Sequence, residues 1–297
     1  MRFKFARILI SICLLLAYTT AHSDIAILLS DEKSSFTLVA DELQKNYKGH
    51  TSRYNMMGGK NSAGISKIKN DDAPVIVAIG LQAARYAQEK LHNKHVIFCQ
   101  VLNPEQFNLT SQKMKGVSAL PPMESQLRLW KELDPRISSI GVITGRNGDM
   151  FPAEAQAAGS KHGISIVHSK VKTDREVMYA IKRIRPRIQG LWLAPDSSIL
   201  SSHLITELMT YATKEALQVL VFAPELLRIG GLMSAVADPH DIAQQVLERV
   251  KEVENSGNFS AVAIRPLSKV EVEVNEKIAE RYGIRVPVSL KGADHDK

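Results

Sequence analysis

Short runs of apolar, β-favouring residues alternate with longer amphipathic stretches along the chain from residue 24 onward. Several runs are apolar at every position, which is typical of parallel strands that helices cover on both faces. Strand–helix–strand units with short connections favour a doubly wound α/β sheet. The predicted strands are Ile25–Leu29, Val75–Ile79, Val96–Val101, Ile140–Thr144, Ile164–His168, Leu191–Ala194 and Val219–Phe222.

The strand–helix pattern occurs in two series, which predicts two lobes. The first series runs from Asp24 to about Val117, and the second runs from Pro121 to about Val221. Residues 115–122 form a short extended segment that ends in two prolines, and they predict a crossing between the lobes. The predicted lobes are 24–119 with 222–260 and 120–221 with 261–288, followed by a mobile tail at 289–297.

Three helices have readable ends. A helix over Met123–Leu133 lies between two proline stops. A second, at about 152–162, ends before Gly163, which suits a left-handed C-cap. A third opens with Asp238 as the N-cap and Pro239 at the first helical position.

Residues 1–23 have the order of features that defines a secretory signal peptide. A short basic region precedes the apolar run Ile8–Ala17, and small and polar residues follow it. The alternative is an uncleaved anchor, but the run is shorter than the ~20 residues that a spanning helix needs. We therefore expect cleavage before Asp24 and a mature chain outside the cytoplasm.

The charge distribution argues against nucleic-acid binding. The formal net charge is +7, and it falls to +4 without the signal peptide, which carries three basic residues and no acid. The remaining Lys and Arg are interleaved with Asp and Glu, and no basic stripe with interleaved aromatics occurs. We expect no nucleic-acid partner.

No enzyme, cofactor or metal motif is found. Gly58–Asn61 lacks the spacing of a phosphate loop, and no dinucleotide fingerprint or nucleophile elbow occurs. His92 and His95 have no nearby third metal ligand. Cys13 lies in the signal peptide, so Cys99 is left alone in an apolar strand, where a small buried hydrophobe is expected. The sequence predicts a non-enzymatic protein without a cofactor.

Polar and flexible residues follow the predicted strands, where ligands bind in open α/β sheets. Helix N-termini and hydroxyls suit a carboxylate there, and Asp196 or Glu225 suits an ammonium group. Asp196 and Ser197 also suit helix N-caps, so each position has a purely structural alternative. The candidate ligand-binding residues are Ser30, Gly80, Leu81, Gln82, Gln100, Arg146, Asp196, Ser197 and Glu225.

The order and spacing of five short segments resemble a known family. These segments are Gly80–Ala84, Gln100–Pro104, Gly116–Pro122, Pro195–Ser197 and Val274–Pro287. The chain is similar to the ABC-transporter substrate-binding proteins of the periplasmic type I class, in the branch of tryptophan/tyrosine-type amino-acid binders. The resemblance implies two doubly wound lobes that three crossings join into a hinge, with a ligand cleft to which Ser118 also contributes.

The resemblance implies a monomeric periplasmic solute-binding protein that delivers an amino acid or related small organic ion to the permease of an ABC importer. The alternative is a sensor that docks on a membrane signalling protein. An exported enzyme on the same fold is disfavoured because no catalytic constellation occurs. The chain has Leu81-Gln82 where amino-acid binders have a Thr-Pro-like pair, and Glu225 where they have aspartate. Arg146 replaces part of a serine-rich loop and favours an anionic ligand.

Overall fold

The computed structural model describes residues 24–57, 63–145, 151–195 and 199–291. The predicted signal peptide at 1–23 lies outside these residues, as does the Gly58–Asn61 segment. The strands are β1 (Ile25–Leu29), β2 (Thr51–Asn55), β3 (Val75–Ile79), β4 (His95–Cys99), β5 (Met114–Val117), β6 (Ser139–Thr144), β7 (Ser165–Lys170), β8 (Gly190–Trp192), β9 (Gln218–Val221), β10 (Met233–Val236), β11 (Ile264–Arg265) and β12 (Glu271–Val274). The helices are α1 (Ser34–Asn46), α2 (Ala63–Lys69), α3 (Leu81–Lys90), α4 (Met123–Leu133), α5 (Phe151–Ser160), α6 (Asp174–Ile184), α7 (Ser202–Lys214), α8 (Pro239–Ser256) and α9 (Glu276–Arg281).

The chain forms two compact α/β units. Among the described residues, unit 1 contains those up to Val101, Asn108–Val117 and Ala243–Ile264, and unit 2 contains Leu102–Phe107, Ser118–Ile242 and those from Arg265 onward. The chain changes unit after residues 117, 242 and 264, and it makes one additional short excursion at 102–107. The predicted fold class of two doubly wound, mainly parallel lobes is confirmed.

The sheet of unit 1 contains six strands in the order β11-β5-β4-β3-β1-β2 within the described residues. The central strands β1 and β3 pair in parallel, with Ile25 opposite Val75 and Leu29 opposite Ile79. All ten of their residues are buried, as the uninterrupted apolar runs predict. Strand β2 lies at the edge and is only partly buried, which agrees with its polar sequence.

The sheet of unit 2 has the order β12-β10-β9-β8-β6-β7 within the described residues. Its strands contribute side chains to two separate hydrophobic cores, one on each face of the sheet, because successive side chains point to opposite sides of a strand. Trp192 and Leu220 pack with α4 and α5, whereas Leu191 and Val219 pack with α6 and α7. Of the described strands in this sheet, only β12 runs antiparallel to its neighbour, β10.

The units differ from the predicted lobes at four segments, which are 102–107, 118–119, 222–242 and 261–264. Residues 222–242 belong to unit 2 rather than to the first lobe, because β10 pairs in parallel with β9 and also pairs with β12. Residues 261–264 belong to unit 1 because the Gly116 N–H donates to the Ala263 carbonyl (2.9 Å), which extends the sheet beyond β5. Strand pairing at these positions depends on distant partners that local patterning does not reveal.

The predicted tail also begins too early. Val288–Leu290 form a 3-10 turn, and Leu290 is 5% exposed in the core that contains Trp130. The Ser289 hydroxyl donates to Glu132 (2.6 Å). The chain is therefore anchored at Leu290, because an apolar side chain fixes it to the core of unit 2.

Helix α8 carries a fully buried arginine, Arg249, in unit 1. Its guanidinium donates to the carbonyls of Val262 (2.7 Å) and Gly116 (3.4 Å), and to Glu252 (3.0 Å). Burial raises the pKa of Glu252, but the Ser260 N–H and Arg249 outweigh that effect, so the pKa lies below its ordinary value. The two carbonyl hydrogen bonds tie the segment after α8 to β5, because a buried guanidinium is stable only where acceptors meet its N–H groups.

Within the described residues, no helix is both long enough and apolar enough to cross a membrane.

Candidate ligand-binding site

The carboxyl ends of β1 and β3 are joined by a side-chain hydrogen bond in unit 1. The Ser30 hydroxyl oxygen accepts from the Ala83 N–H (2.9 Å), 53 residues later in the first turn of α3. The N–H groups of Leu81 and Gln82 have no acceptor among the described residues, as expected for the first turn of a helix. The predicted candidates Ser30, Leu81 and Gln82 therefore lie together at a helix N-terminus.

Gly80 is required at this position by its conformation and by its neighbours. Its φ is +86°, which L side chains rarely adopt, and its N–H donates to the Cys99 carbonyl at the end of β4 (2.9 Å). A Cβ atom here would lie 2.6 Å from the Ser30 hydroxyl and 2.8 Å from the Phe36 ring. The absence of a side chain lets three strand ends approach one another.

Three non-glycine residues between β4 and β5 have left-handed backbones, namely Gln100, Asn103 and Asn108. Gln100 has a φ of +55° and follows Cys99 directly, and Asn103 has a φ of +49°. Asparagine tolerates this region, but glutamine is unusual in it, and such residues concentrate at functional sites. Gln100, a predicted candidate, is half-buried and adjoins Gly80 through the bond to Cys99.

The loop after β1 is ordered by charged side chains. Asp31 accepts from the Lys33 N–H (2.9 Å) and pairs with the Lys33 ammonium (3.3 Å), which lies 5.8 Å from the centre of the Phe36 ring. Phe36 is a half-buried aromatic ring in contact range of the Gly80 backbone. It is absent from the predicted candidates, although an aromatic residue in the first helical turn after a strand is a readable signal.

In unit 2, Ser118 stands directly after β5. Its N–H donates to the Arg265 carbonyl (2.9 Å), and its hydroxyl donates to the Leu120 carbonyl (2.7 Å). The hydroxyl oxygen also accepts from the Leu120 N–H (3.2 Å). The Ser118 side chain therefore stabilises a turn, and only the remaining lone pair of its oxygen is left for a ligand.

The other strand ends of unit 2 are described in part. Glu225 is exposed in the 3-10 turn Pro224–Ile229 that follows β9. Asn103, which belongs to unit 2, donates to the Pro195 carbonyl (3.3 Å) beyond β8. The predicted candidates Arg146, Asp196 and Ser197 lie outside the described residues.

Cys99 is unsuited to nucleophilic chemistry despite its position beside Gln100. Its side chain is fully buried, and this burial raises the pKa of the thiol to about 12. The thiol stays protonated at neutral pH, where only a thiolate is reactive. Among the described residues, no group of three His, Cys, Asp or Glu side chains is placed to hold a metal ion.

The sequence matches the family model described as ABC transporter substrate binding protein over residues 39–295. The chain belongs to this family. The match covers both α/β units and agrees with the resemblance in the sequence, so the predicted family is confirmed.

Several relatives of this substrate-binding protein are known. A tyrosine-binding protein from Clostridioides difficile is 23% identical over 220 residues. That alignment covers 71% of this chain and 63% of the relative, so the chain spans less than two thirds of the relative's length.

Solved structures share its fold. The ligand-free, open structure of a substrate-binding protein with adhesive properties from Clostridium difficile has a TM-score of 0.65 at 18% identity, covering 93% of this chain and 100% of that one. An ABC domain from Streptococcus pneumoniae in complex with L-Trp has a TM-score of 0.59 at 20% identity, covering 91% and 97%. These similarities show the type I periplasmic binding protein fold.

Proposed function

We propose that the chain is the exported solute-binding component of an ABC importer, and that it captures an amino acid or a related small organic ion for a membrane permease. The observation that carries the proposal is the family match over 39–295 together with the strand-end cluster of unit 1. Ser30 and the first turn of α3, brought together by Gly80, present a hydroxyl and two free N–H groups at one place.

The strand-end cluster of unit 1 suits a ligand carboxylate. The free N–H groups of Leu81 and Gln82 point out of a helix N-terminus, where the helix dipole favours an anion. The Ser30 hydroxyl retains its own proton for donation, because it serves only as the acceptor for Ala83. Gln100, held by its left-handed backbone, adds an amide at the neighbouring strand end.

The strand ends of unit 2 supply the complementary charges in this proposal. Asp196 and Glu225 accept from a ligand ammonium group, and Ser118 and Ser197 add hydroxyl groups. Arg146 binds a second anionic group where the ligand carries one.

The relatives support an amino acid as the ligand class. One is named as a tyrosine-binding protein, and another was solved with L-Trp. The half-buried Phe36 ring beside Gly80 offers an apolar surface for a side chain. The chain differs from the amino-acid binders at Leu81-Gln82 and Glu225. The proposal therefore concerns the class of ligand, and not which amino-acid side chain is preferred.

The proposal includes export and excludes catalysis. Cleavage after residue 23 leaves Asp24 as the N-terminus of the periplasmic form, and mass spectrometry of protein recovered from the periplasm measures that mass. Incubation of the protein with each bound compound, followed by chromatography, should return the compound unchanged. A product would contradict the non-enzymatic assignment.

A thermal-shift screen of amino acids and small organic acids tests the proposal. A ligand at ~100-fold excess over its dissociation constant contributes about 2.7 kcal/mol, so one compound or one chemical series should raise the melting temperature. Asp196→Ala should abolish the shift with little change in ligand-free stability, and Asp196→Asn provides a second test if the alanine variant unfolds.

Asp72→Ala is the matched control, because exposed Asp72 precedes β3 and lies at its opposite end from Gly80. This variant should retain the full shift. A shift that survives Asp196→Ala would contradict the assignment of Asp196, and a screen without any stabiliser would contradict the ligand class.

A further inference from the structure

Helix α6 of unit 2 separates apolar and basic residues onto opposite sides. Its buried side packs Val177, Met178, Ala180, Ile181 and Ile184 into the core. Its outer side carries exposed Arg175, Lys182 and Arg183 around Tyr179, whose 78% exposure is unusual for an aromatic side chain. These residues lie three and four positions from Tyr179, so they are its neighbours on the helix surface together with one exposed acid, Glu176.

Basic residues that flank α6 extend this surface. Lys172 precedes the helix, and Arg187 lies in the 3-10 turn that follows it; both are exposed. Residues 170–187 contain seven Lys and Arg against two acids, although the whole chain carries a formal charge of only +7. We define the α6 basic face as Lys172, Arg175, Tyr179, Lys182, Arg183 and Arg187.

The cations of the α6 basic face are not neutralised by neighbouring carboxylates. Within the described residues, no Asp or Glu side chain forms an ion pair with any of them. Glu176 instead accepts from the Lys172 N–H (3.0 Å) and the Thr173 hydroxyl (3.3 Å) at the helix N-terminus. Lys182 lies 6.0 Å from the centre of the Tyr211 ring, and Arg183 donates to Ser169 (2.8 Å).

We propose that the α6 basic face binds the surface of an anionic phospholipid bilayer. Lys and Arg near such a surface gain electrostatic free energy from the lipid phosphates, and a tyrosine suits the boundary between head groups and acyl chains. An acidic protein partner fits less well, because Tyr179 is the one aromatic residue of the face, whereas the centre of a stable protein interface buries a larger apolar area. This binding is separate from solute capture at the strand ends and does not depend on it.

Sedimentation with vesicles tests the proposal, using protein purified from the periplasm after removal of the leader. The protein should sediment with vesicles of phosphatidylcholine and phosphatidylglycerol, but not with phosphatidylcholine alone. Binding should disappear at about 0.5 M salt, where the screening length falls to about 4 Å. No sedimentation with the anionic vesicles would overturn the proposal.

Charge-matched variants localise the binding. The combined Lys172→Gln, Arg175→Gln and Lys182→Gln variant should lower the partition coefficient at least about tenfold. The control combines Lys67→Gln, Lys69→Gln and Lys90→Gln, three exposed lysines of unit 1 that remove the same charge. It should change the partition coefficient less than about twofold. Equal losses in both variants would mean binding by net charge alone and would overturn the proposal.

Two further measurements test the role of Tyr179 and distinguish a lipid surface from an acidic polypeptide. Tyr179→Ala should weaken vesicle binding without altering the melting temperature, because the ring is exposed. Soluble polyglutamate should not compete with the vesicles; full competition would identify an acidic polypeptide as the better partner and would overturn the lipid assignment. The triple variant of the face should keep the ligand-induced thermal shift, so failure of this proposal is distinguishable from failure of solute binding.

Discussion

The carboxylate of Asp241 receives two hydrogen bonds from a single residue, Ser268. The Ser268 N–H donates at 2.7 Å and the Ser268 hydroxyl at 2.6 Å, and the Lys269 N–H adds a third at 2.8 Å. Asp241 is fully buried in the first turn of α8, beside the change of unit after residue 242. Ser268 follows the change after residue 264, so this carboxylate ties two crossing segments together within unit 2.

Asp241→Asn should destabilise the protein by about 2 kcal/mol, since the neutral amide weakens the charge-assisted hydrogen bonds that the buried carboxylate accepts and replaces one accepting oxygen by a donor. Urea unfolding monitored by circular dichroism measures the change. Asp238→Asn is the control, because Asp238 caps α8 through the His240 N–H (2.8 Å) and asparagine caps helices as well as aspartate does. Equal losses in the two variants would contradict a special role for Asp241.

Gly80→Ala should cost about 2–4 kcal/mol, because the new Cβ meets Ser30 and Phe36 and the backbone conformation is one that few residues other than glycine adopt. Gly163→Ala should cost about 1 kcal/mol, since Gly163 has a φ of +65° with no atom within 4 Å of the added Cβ. Thermal unfolding of both variants gives the comparison. A smaller loss at Gly80 than at Gly163 would show that the strand ends are less tightly packed than described.

Asp134 should make stability depend on acid pH. Burial raises its pKa, but hydrogen bonds from Arg136 and Gln218 outweigh that effect, so the pKa lies below its ordinary value. A lowered carboxyl pKa stabilises the fold above the unfolded value of about 3.9, and this contribution is lost as the pH falls through the folded pKa. The destabilisation caused by Asp134→Asn should therefore be larger near pH 6 than near pH 3. Equal values at the two pH conditions would contradict the shift.

The thiol of Cys99 should resist a disulfide reagent at about pH 8 in the folded protein, because burial raises its pKa to about 12. In strong denaturant, protein recovered from the periplasm should release one equivalent of chromophore per chain. Two equivalents would mean that Cys13 is retained and that the leader is not removed. Rapid reaction of the folded protein would show that Cys99 is accessible.

The sequence alone predicted several of the buried strands and the helix between two prolines, but not the buried strand β10. Ile25–Leu29 and Val75–Ile79 have the predicted bounds because their uninterrupted apolar runs admit one interpretation. Met123–Leu133 also has the predicted bounds, since prolines mark both ends. Edge strand β2 was not predicted, because its residues Thr51–Asn55 are polar and only partly buried.

The candidate site was less predictable, because its geometry arises from contacts between distant residues. The bond from Ala83 to Ser30 spans 53 positions, and no local pattern indicates it. The left-handed backbone of Gln100 likewise could not be predicted from the sequence, since glutamine does not favour that conformation. Gly80 was predicted as a candidate because glycine at a strand end permits a close approach of the backbone.

Calorimetric titration of the periplasmic protein with the most stabilising compound tests the central claim most directly. We predict one binding site per chain, and at least about tenfold weaker binding to Asp196→Ala, which loses a charged hydrogen-bond partner. Absence of binding heat across a range of temperatures, or equal affinity in the wild type and in this variant, would contradict the claim that the strand ends hold the solute.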